Sequence, residues 1–485
     1  MIELRDKGLL REAALIGGEW VPADGNAPLA VTDPASGALV GQVPECGTAM
    51  TEAAVAAAGQ AWPEWRARTA HERAAILERW HALVLANEDD LARILTTEQG
   101  KPLAEAKGEI RYAASFIKWF AEEGRRVAGR IIPAPETNRR ILVLVEPVGV
   151  SAALTPWNFP AAMITRKCAP ALAAGCTVVV KPSELTPFTA LALVELAVRA
   201  GVPAGVINVV TGLPEAIGKV LTGSPTVRKL SFTGSTRIGA LLMRQCADTI
   251  KRLSLELGGN APLIVFDDAD LDLAVEATMA SKFRNAGQTC VCANRILVQD
   301  GIHDAFAERL SAAVSRLHVA PGLEPGTTTG PLINEAAVDK VRSHLDDALG
   351  AGAKVIASGS GREGGTFVLP KVLVGATPDM RLAQEETFGP VAPLFRFGSE
   401  EEAIALANDT PFGLASYYYT RDLSRAFRVA ERLEAGMVVL NTGSVAMEMA
   451  PFGGVKQSGL GREGGQEGIE EFLETKAFHI GGLEL

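Results

Sequence analysis

One cysteine stands in company that suits chemistry. Cys290 lies in Phe283-Arg284-Asn285-Ala286-Gly287-Gln288-Thr289-Cys290-Val291-Cys292-Ala293-Asn294-Arg295. This is a polar, glycine-containing loop between a helical pattern over residues 271–283 and a strand-like run over 295–298. A free cysteine is more often a small buried hydrophobe. Here an arginine is close in sequence and four polar side chains flank the thiol, surroundings in which a thiolate nucleophile can form. Glu256, in Leu255-Glu256-Leu257-Gly258-Gly259-Asn260, is flanked by leucines. Such a carboxylate is either paired or has a raised pKa, and the second state suits proton abstraction near neutral pH. A surface glutamate beside a glycine turn is the alternative. Asn158, between Trp157 and Phe159, reads by itself as a turn residue.

Three further motifs concern phosphate. Ser231-Phe232-Thr233-Gly234-Ser235-Thr236-Arg237-Ile238-Gly239 ends a strand and opens a helix. The free N–H groups and positive dipole end of that helix suit a pyrophosphate. Gly459-Leu460-Gly461-Arg462-Glu463-Gly464 matches G-x-G-x-x-G, but it follows no strand pattern and too little chain remains for a βαβ unit. Gly212 to Lys219 is one residue too long for a P-loop, and Val220 stands where Ser or Thr should ligate magnesium. Both read as turns. Cys290 and Cys292 lack the paired C-x₂₋₄-C spacing of a structural zinc site, and no metal is expected.

The elements that must hold these residues follow a strand–helix rhythm. Strand-like runs at 149–154, 177–180, 206–210 and 229–232 alternate with helical stretches at 160–174, 187–200 and 214–221. That alternation implies βαβ units, a mostly parallel sheet and a ligand at the carboxyl ends of its strands. A second α/β unit begins near Leu257 and runs to about Val439. Before them come short strands at 14–21 and 30–44 and helices at 51–65, 71–98 and 102–123. Extended residues at 130–146 suit either a surface hairpin or oligomer contacts. The tail is glycine-rich, then helical over 466–473, with a short final strand.

At 485 residues, two or three domains are expected. A net charge of −10 argues against a broad basic face for nucleic acid. No run approaches the ~18 apolar residues that span a bilayer. Residues 1–11 are charged, so no secretory signal is expected. Six scattered cysteines suit a reducing compartment, and a cytoplasmic enzyme is expected.

The segment FRNAGQTCVCANR resembles the catalytic-cysteine segment of the NAD(P)-dependent aldehyde dehydrogenases. Within them it is similar to the succinate-semialdehyde dehydrogenase branch, which has the Cys-x-Cys pair. The likeness runs from about residue 16 to about residue 480. It implies an α/β, aldehyde dehydrogenase-like fold with a Rossmann-type cofactor domain (1–128 and 148–256) and an α/β catalytic domain (257–445). A small β oligomerisation element and the C-terminal tail (129–147 and 446–485) would make a homodimer or homotetramer.

The resemblance also assigns roles. Cys290 is the nucleophile, Asn158 with the Cys290 backbone N–H faces the oxyanion, and Glu256 is the general base. Gly234 and Ser235 hold the cofactor diphosphate, and Lys181 reaches the adenosine ribose. Glu386, in Glu385-Glu386-Thr387-Phe388-Gly389-Pro390, accepts from the nicotinamide ribose, and Phe388 packs near the ring. Trp157, Asn158, Ser183 and Leu257 are further cofactor contacts. Glu184, three residues after Lys181, favours the free ribose hydroxyls of NAD, with NADP possible and less favoured. Arg166 and Arg284 form a carboxylate clamp, joined by Phe159 and Phe452. The implied substrate is a small aldehyde with an anionic tail, succinate semialdehyde first, glutarate semialdehyde or sulfolactaldehyde as alternatives. An inactive binding use of the fold is the rival from another class, and intact Cys290, Glu256 and Asn158 count against it. Ala446 stands where relatives typically have a serine that contacts the carboxylate. Cys292 implies a reversible redox bridge to Cys290.

Overall fold

The strands Val150–Leu154 and Thr177–Lys181 are apolar at seven of their ten residues, and every residue is buried. Parallel strands of this kind need cover on both faces, which crossover helices supply. In the computed structural model, which describes residues 2–23 and 27–484, five such strands run parallel. Their spatial order is Ile207–Val209, Thr177–Lys181, Val150–Leu154, Val227–Thr233, Arg252–Glu256. The chain order reverses between Val150–Leu154 and Val227–Thr233. That is the switch point at which an open α/β sheet leaves a crevice at its carboxyl edge. The short hairpin Ala14–Ile16 and Glu19–Val21 closes one side of the sheet, and Gly459–Leu460 closes the other.

From Glu256, four residues lead into Ala261–Val265, the first strand of a second sheet. Its seven strands are parallel except for the edge pair Lys354–Ser358 and Lys371–Val374. The carboxyl edge of the first sheet therefore faces the amino edge of the second. Turns from both edges, 155–159 and 234–235 on one side and 257–260, 284–292 and 386–390 on the other, meet between them. A separate three-stranded sheet, Leu473–Ile480, Arg140–Pro147 and Arg130–Ile132, stands outside both.

The cores follow the layers. Trp65, Trp80, Phe116, Phe120 and Phe188 pack the helices against the first sheet, and Phe306, Tyr417 and Tyr419 pack the second. Local signals start the helices. Thr69 and Glu72 form a reciprocal capping box for Ala70–Ala86. The buried Glu98 carboxylate accepts from the Phe188 and Thr189 amides at 2.8 Å each, satisfying free N–H groups at the start of Phe188–Arg199. Burial pushes Glu98 up to about 8 in spite of those bonds.

Some elements differ from the sequence-based expectation. The helix expected over 71–98 is two, Ala70–Ala86 and Glu88–Gln99. Asn87 ends the first by donating to the Leu83 carbonyl at 2.8 Å, and Glu88, Asp89 and Asp90 favour a new N-terminus. The short strands expected over 30–44 are present, paired as the hairpin Leu29–Thr32 and Leu39–Val43. The tail helix shrinks to Glu467–Glu470, and the final strand is long, Leu473–Ile480, because it pairs along its whole length with Arg140–Pro147. The expected spans 1–128 and 446–485 also take in residues 1, 24–26 and 485, which lie outside the described residues.

Gly459 shows how closely the tail fits. Its φ is +141°, it pairs with Glu256, and a Cβ there would run into the Leu255 carbonyl. Gly459→Ala should therefore destabilise the protein by about 1–3 kcal/mol and reduce turnover by shifting Glu256. Thermal melting and steady-state assay check both, and an unchanged melting temperature would contradict the tight fit.

Candidate active site

The helix Leu271–Lys282 ends just before the cysteine loop, and Asn285 and Ala286 turn in left-handed backbone (φ 52° and 54°). Gly287 follows because any side chain there would strike the Gly389 carbonyl. Tyr417 Oη donates to the Val291 carbonyl at 2.8 Å, fixing the loop from the second sheet. Gln288 holds it from inside: its Nε2 donates to the Asn285 carbonyl at 3.1 Å and its Oε1 accepts from the Ile333 amide at 3.0 Å.

Asn158 is tied to that loop twice. Its Nδ2 donates to the Gln288 carbonyl at 3.1 Å, and its own carbonyl accepts from Asn285 Nδ2 at 3.0 Å. The same carbonyl accepts from Lys101 Nζ at 2.8 Å, and Lys101 is paired with Glu109 at 2.6 Å, both buried. Glu109 reaches on to the Ala161 amide at 2.8 Å, and Gln99 donates to Asn285 Oδ1 at 3.0 Å. The sequence reading missed Lys101, Glu109 and Gln99. Lysine and glutamate in a helical pattern look like solvated surface, and the one local signal is Gly100, which breaks the helix in left-handed backbone beside them.

A cavity of about 360 Å³ opens at the switch point. Its walls include eight residues singled out from the sequence: Trp157, Asn158, Gly234, Ser235, Leu257, Cys290, Glu386 and Phe388. Ser235 caps the helix Thr236–Cys246, whose free first-turn amides open there. Glu386 is fixed by its neighbours. Asn294 Nδ2 donates to the Glu385 carbonyl at 3.0 Å and to Asn260 Oδ1 at 2.7 Å. Burial pushes the Glu386 carboxyl up to about 7, and its Oε1 accepts from the Gly259 amide at 3.3 Å. Phe388, at φ 56°, stands edge-on to Trp157 with ring centroids 5.6 Å apart. Helix amides for a diphosphate, a half-buried acceptor for ribose hydroxyls and an aromatic slot fit a nicotinamide dinucleotide. Lys181 and Ser183 lie at the next strand end, and Lys181 Nζ meets Glu184 at 2.8 Å.

Cys290 is half-buried, and burial pushes its thiol up to about 12 while Arg166 pulls it down. Glu256 is buried, and neither of its oxygens has a hydrogen-bond partner among the described residues. Burial first, and the Glu463 carboxylate second, hold Glu256 well above the ordinary carboxylate range. Burial also pushes on Glu463, but Lys167 and Arg166 overcome it and keep Glu463 below that range. Arg166 meets Glu463 at 2.8 Å, and Lys167 both pairs with Glu463 and donates to Thr233 Oγ1 at 2.7 Å. Lys167 and Glu463 were also missed, because they meet across 296 residues of chain.

The four expected substrate contacts form two cation–ring pairs. Arg166 lies 4.0 Å over Phe452, and Arg284, exposed, lies 5.1 Å over Phe159. Cys292 is a free thiol, and Lys282 Nζ donates to its sulfur at 3.4 Å. Among the described residues, no group of three or more His, Cys, Asp or Glu could hold a metal ion.

Known proteins resemble this chain over nearly its whole length. A model of the aldehyde dehydrogenase family matches residues 20–478. The chain is 61% identical to a succinate-semialdehyde dehydrogenase [NADP(+)] of Escherichia coli, over 99% of this chain and 100% of the relative. It is 62% identical to a glutarate-semialdehyde dehydrogenase of Pseudomonas putida, over 98% and 99%. It is 60% identical to a 3-sulfolactaldehyde dehydrogenase of Pseudomonas putida, over 100% of both. The crystal structure of a succinate-semialdehyde dehydrogenase from Burkholderia pseudomallei superposes with a TM-score of 0.98, at 62% identity over 99% of this chain and 100% of that one.

The burial of Cys290 has a direct readout. Its folded pKa is raised, so the thiol stays protonated through neutral pH and the reactive thiolate grows as pH rises. In the coenzyme-free protein, iodoacetamide labelling that depends on Cys290 should keep climbing beyond pH 9. A plateau at or below pH 8 would contradict the assignment.

Proposed function

This chain belongs to the aldehyde dehydrogenase family, and on that premise we propose that it oxidises a short anionic aldehyde, succinate semialdehyde foremost, through Cys290. It is an NAD(P)-dependent oxidoreductase. The observation that carries the reading is that Cys290, Asn158 and Glu386 share one cavity while an unpartnered Glu256 lies buried nearby.

Cys290 gives up its proton to solvent, and the thiolate sulfur adds to the aldehyde carbon as the carbonyl π pair moves onto oxygen. The oxygen that becomes negative is faced by Asn158 Nδ2, which keeps one hydrogen free of Gln288, and by the Cys290 backbone N–H. When bound, the nicotinamide coenzyme supplies the hydride acceptor, held by the first-turn amides at Ser235 and by Glu386. A thioester then remains on Cys290. Glu256, once it has lost its own proton, takes one from water as the water attacks the thioester carbon. Cys290 leaves as a thiolate and the acid is free. We also propose a reducing cytoplasm, which the six free cysteines support. A homodimer or homotetramer completes the reading. It is supported by Ile131, Leu144 and Phe478, apolar and exposed on the outlying sheet.

Arg166 and Arg284 would hold the anionic tail. A panel of semialdehydes and neutral aldehydes of equal length, scored by kcat/KM, tests this. Arg284→Ala should cost the anionic substrate roughly 1.5–3 kcal/mol, about 10–150-fold, and the neutral one little. Equal losses would argue against an anion clamp. Succinate, glutarate and sulfonated semialdehydes belong in the panel, because relatives named for each stand near 60% identity.

The coenzyme turns on Glu184. Its carboxylate would accept from the ribose 2′- and 3′-hydroxyls of NAD and repel the 2′-phosphate of NADP. Its ion pair with Lys181 offsets part of that repulsion, so NADP is tolerated but not preferred. Glu184→Ser should narrow or reverse the NAD-to-NADP ratio of kcat/KM. A parent enzyme that prefers NADP would overturn this.

Cys292 would act in redox control by bridging to Cys290, which removes the nucleophile. Peroxide should then inactivate the enzyme and dithiothreitol restore it. A Cys292→Ala variant rescued equally well would rule the bridge out.

A further inference from the structure

Tyr112 is a polar group beside the site that the mechanism leaves unused. Its hydroxyl oxygen is buried and has no hydrogen-bond partner among the described residues. An unpaired buried hydroxyl costs free energy, and in a native structure it calls for an explanation.

The helix Leu103–Glu123 aims it. Residues three, four and seven apart share one helix face, so Glu105, Glu109 and Phe116 lie on the face of Tyr112. Glu105 accepts from the amide of Asn285 at 2.8 Å, the residue next to Arg284. Glu109 accepts from the amide of Ala161 at 2.8 Å, at the start of the helix that carries Arg166. The Phe116 ring stands edge-on to the Tyr112 ring at 4.9 Å and lies 5.6 Å beneath the Arg166 guanidinium. Tyr112 thus sits between the anchor points of both arginines. Burial raises its phenol, and Arg166 and Arg284 oppose that, so the group is a neutral O–H donor at physiological pH.

An arginine offers donors and no acceptor. Glu463 is already engaged by Lys167 and Arg166. Ala446, which packs in the same cluster as Cys290 and Phe452, brings no hydroxyl. Among the described residues the Tyr112 hydroxyl meets no acceptor, and an anionic ligand held by the two arginines would bring one.

We propose that Tyr112 is a specificity-determining residue whose hydroxyl donates to the anionic tail of the aldehyde, as a third donor beside Arg166 and Arg284. The inference rests on the anion-clamp reading above. A carboxylate or a sulfonate oxygen satisfies the same donor, and a neutral chain end satisfies none.

Tyr112→Phe removes the hydroxyl alone and breaks no hydrogen bond among the described residues, so the variant should fold and melt like the parent. Its kcat/KM should be measured for succinate semialdehyde, a sulfonated aldehyde and butanal, beside Arg284→Ala. The ratio of anionic to neutral kcat/KM should fall about tenfold in Tyr112→Phe. Competitive inhibition by succinate should weaken by a similar factor, a readout that packing alone would not move. A fall in one anionic substrate only would name the tail that the hydroxyl serves. If Tyr112→Phe keeps the parent's ratio while Arg284→Ala loses it, the role of Tyr112 is wrong and the clamp stands. If both variants keep the ratio, the clamp itself is wrong. Equal losses for anionic and neutral aldehydes would reduce Tyr112 to a packing residue and overturn the proposal.

Discussion

The site depends on one carbonyl oxygen. The backbone oxygen of Asn158 accepts from Lys101 at 2.8 Å and from Asn285 at 3.0 Å, while the side chain of Asn158 donates to Gln288. The bonds to Asn285 and Gln288 tie the carboxyl edge of the first sheet to the cysteine loop in front of the second, and Lys101 holds the same oxygen from the end of Glu88–Gln99. The two sheets have separate cores, so each alone would leave its turns free to drift. Placement of a thiol and an oxyanion donor matters on the scale of ångströms. The cross-tie supplies that placement from buried groups whose geometry is fixed by further partners, Glu109 for Lys101 and Gln99 for Asn285.

The second constraint is charge. Taking ions out of water costs several kcal/mol each unless they are paired. Behind the cavity two carboxylates, Glu256 and Glu463, meet two cations, Arg166 and Lys167, all buried. The cations favour Glu463, which carries both ion pairs. Glu256 has no hydrogen-bond partner among the described residues and takes the raised pKa. Two carboxylates in one cluster are thereby driven apart, one ionised and structural, one proton-bearing and available for proton transfer. Arg166 is central to this, since it serves Glu463 now and would serve the substrate's tail as well.

Much of this was legible in the sequence, and the rest was hidden for physical reasons. The strand–helix rhythm from residue 149 carried the parallel sheet, and the Thr-Gly-Ser turn carried the helix start at Ser235. Eight of the residues named from the sequence line the cavity, Gly234 and Ser235 from their turn and Trp157, Leu257, Glu386 and Phe388 through the family resemblance. The missed ones fall into two kinds. Lys101, Glu109, Lys167 and Glu463 are charged residues whose burial follows from contacts far along the chain, and charge in a helical pattern normally means solvent. The final strand, Leu473–Ile480, is mostly exposed and polar on its own; only its partner, Arg140–Pro147, makes it a strand. Tyr112 could not be distinguished from other helix aromatics until the two arginines were placed around it.

The most direct test of the account is a rapid-mixing measurement of NADH formation with succinate semialdehyde, comparing the parent with Cys290→Ala and Glu256→Gln. If Cys290 attacks and Glu256 serves the hydrolytic water, Cys290→Ala gives neither burst nor turnover. Glu256→Gln then keeps more of the burst than of the steady-state rate. A Cys290→Ala protein that turns over at a rate near the parent's would contradict the account outright.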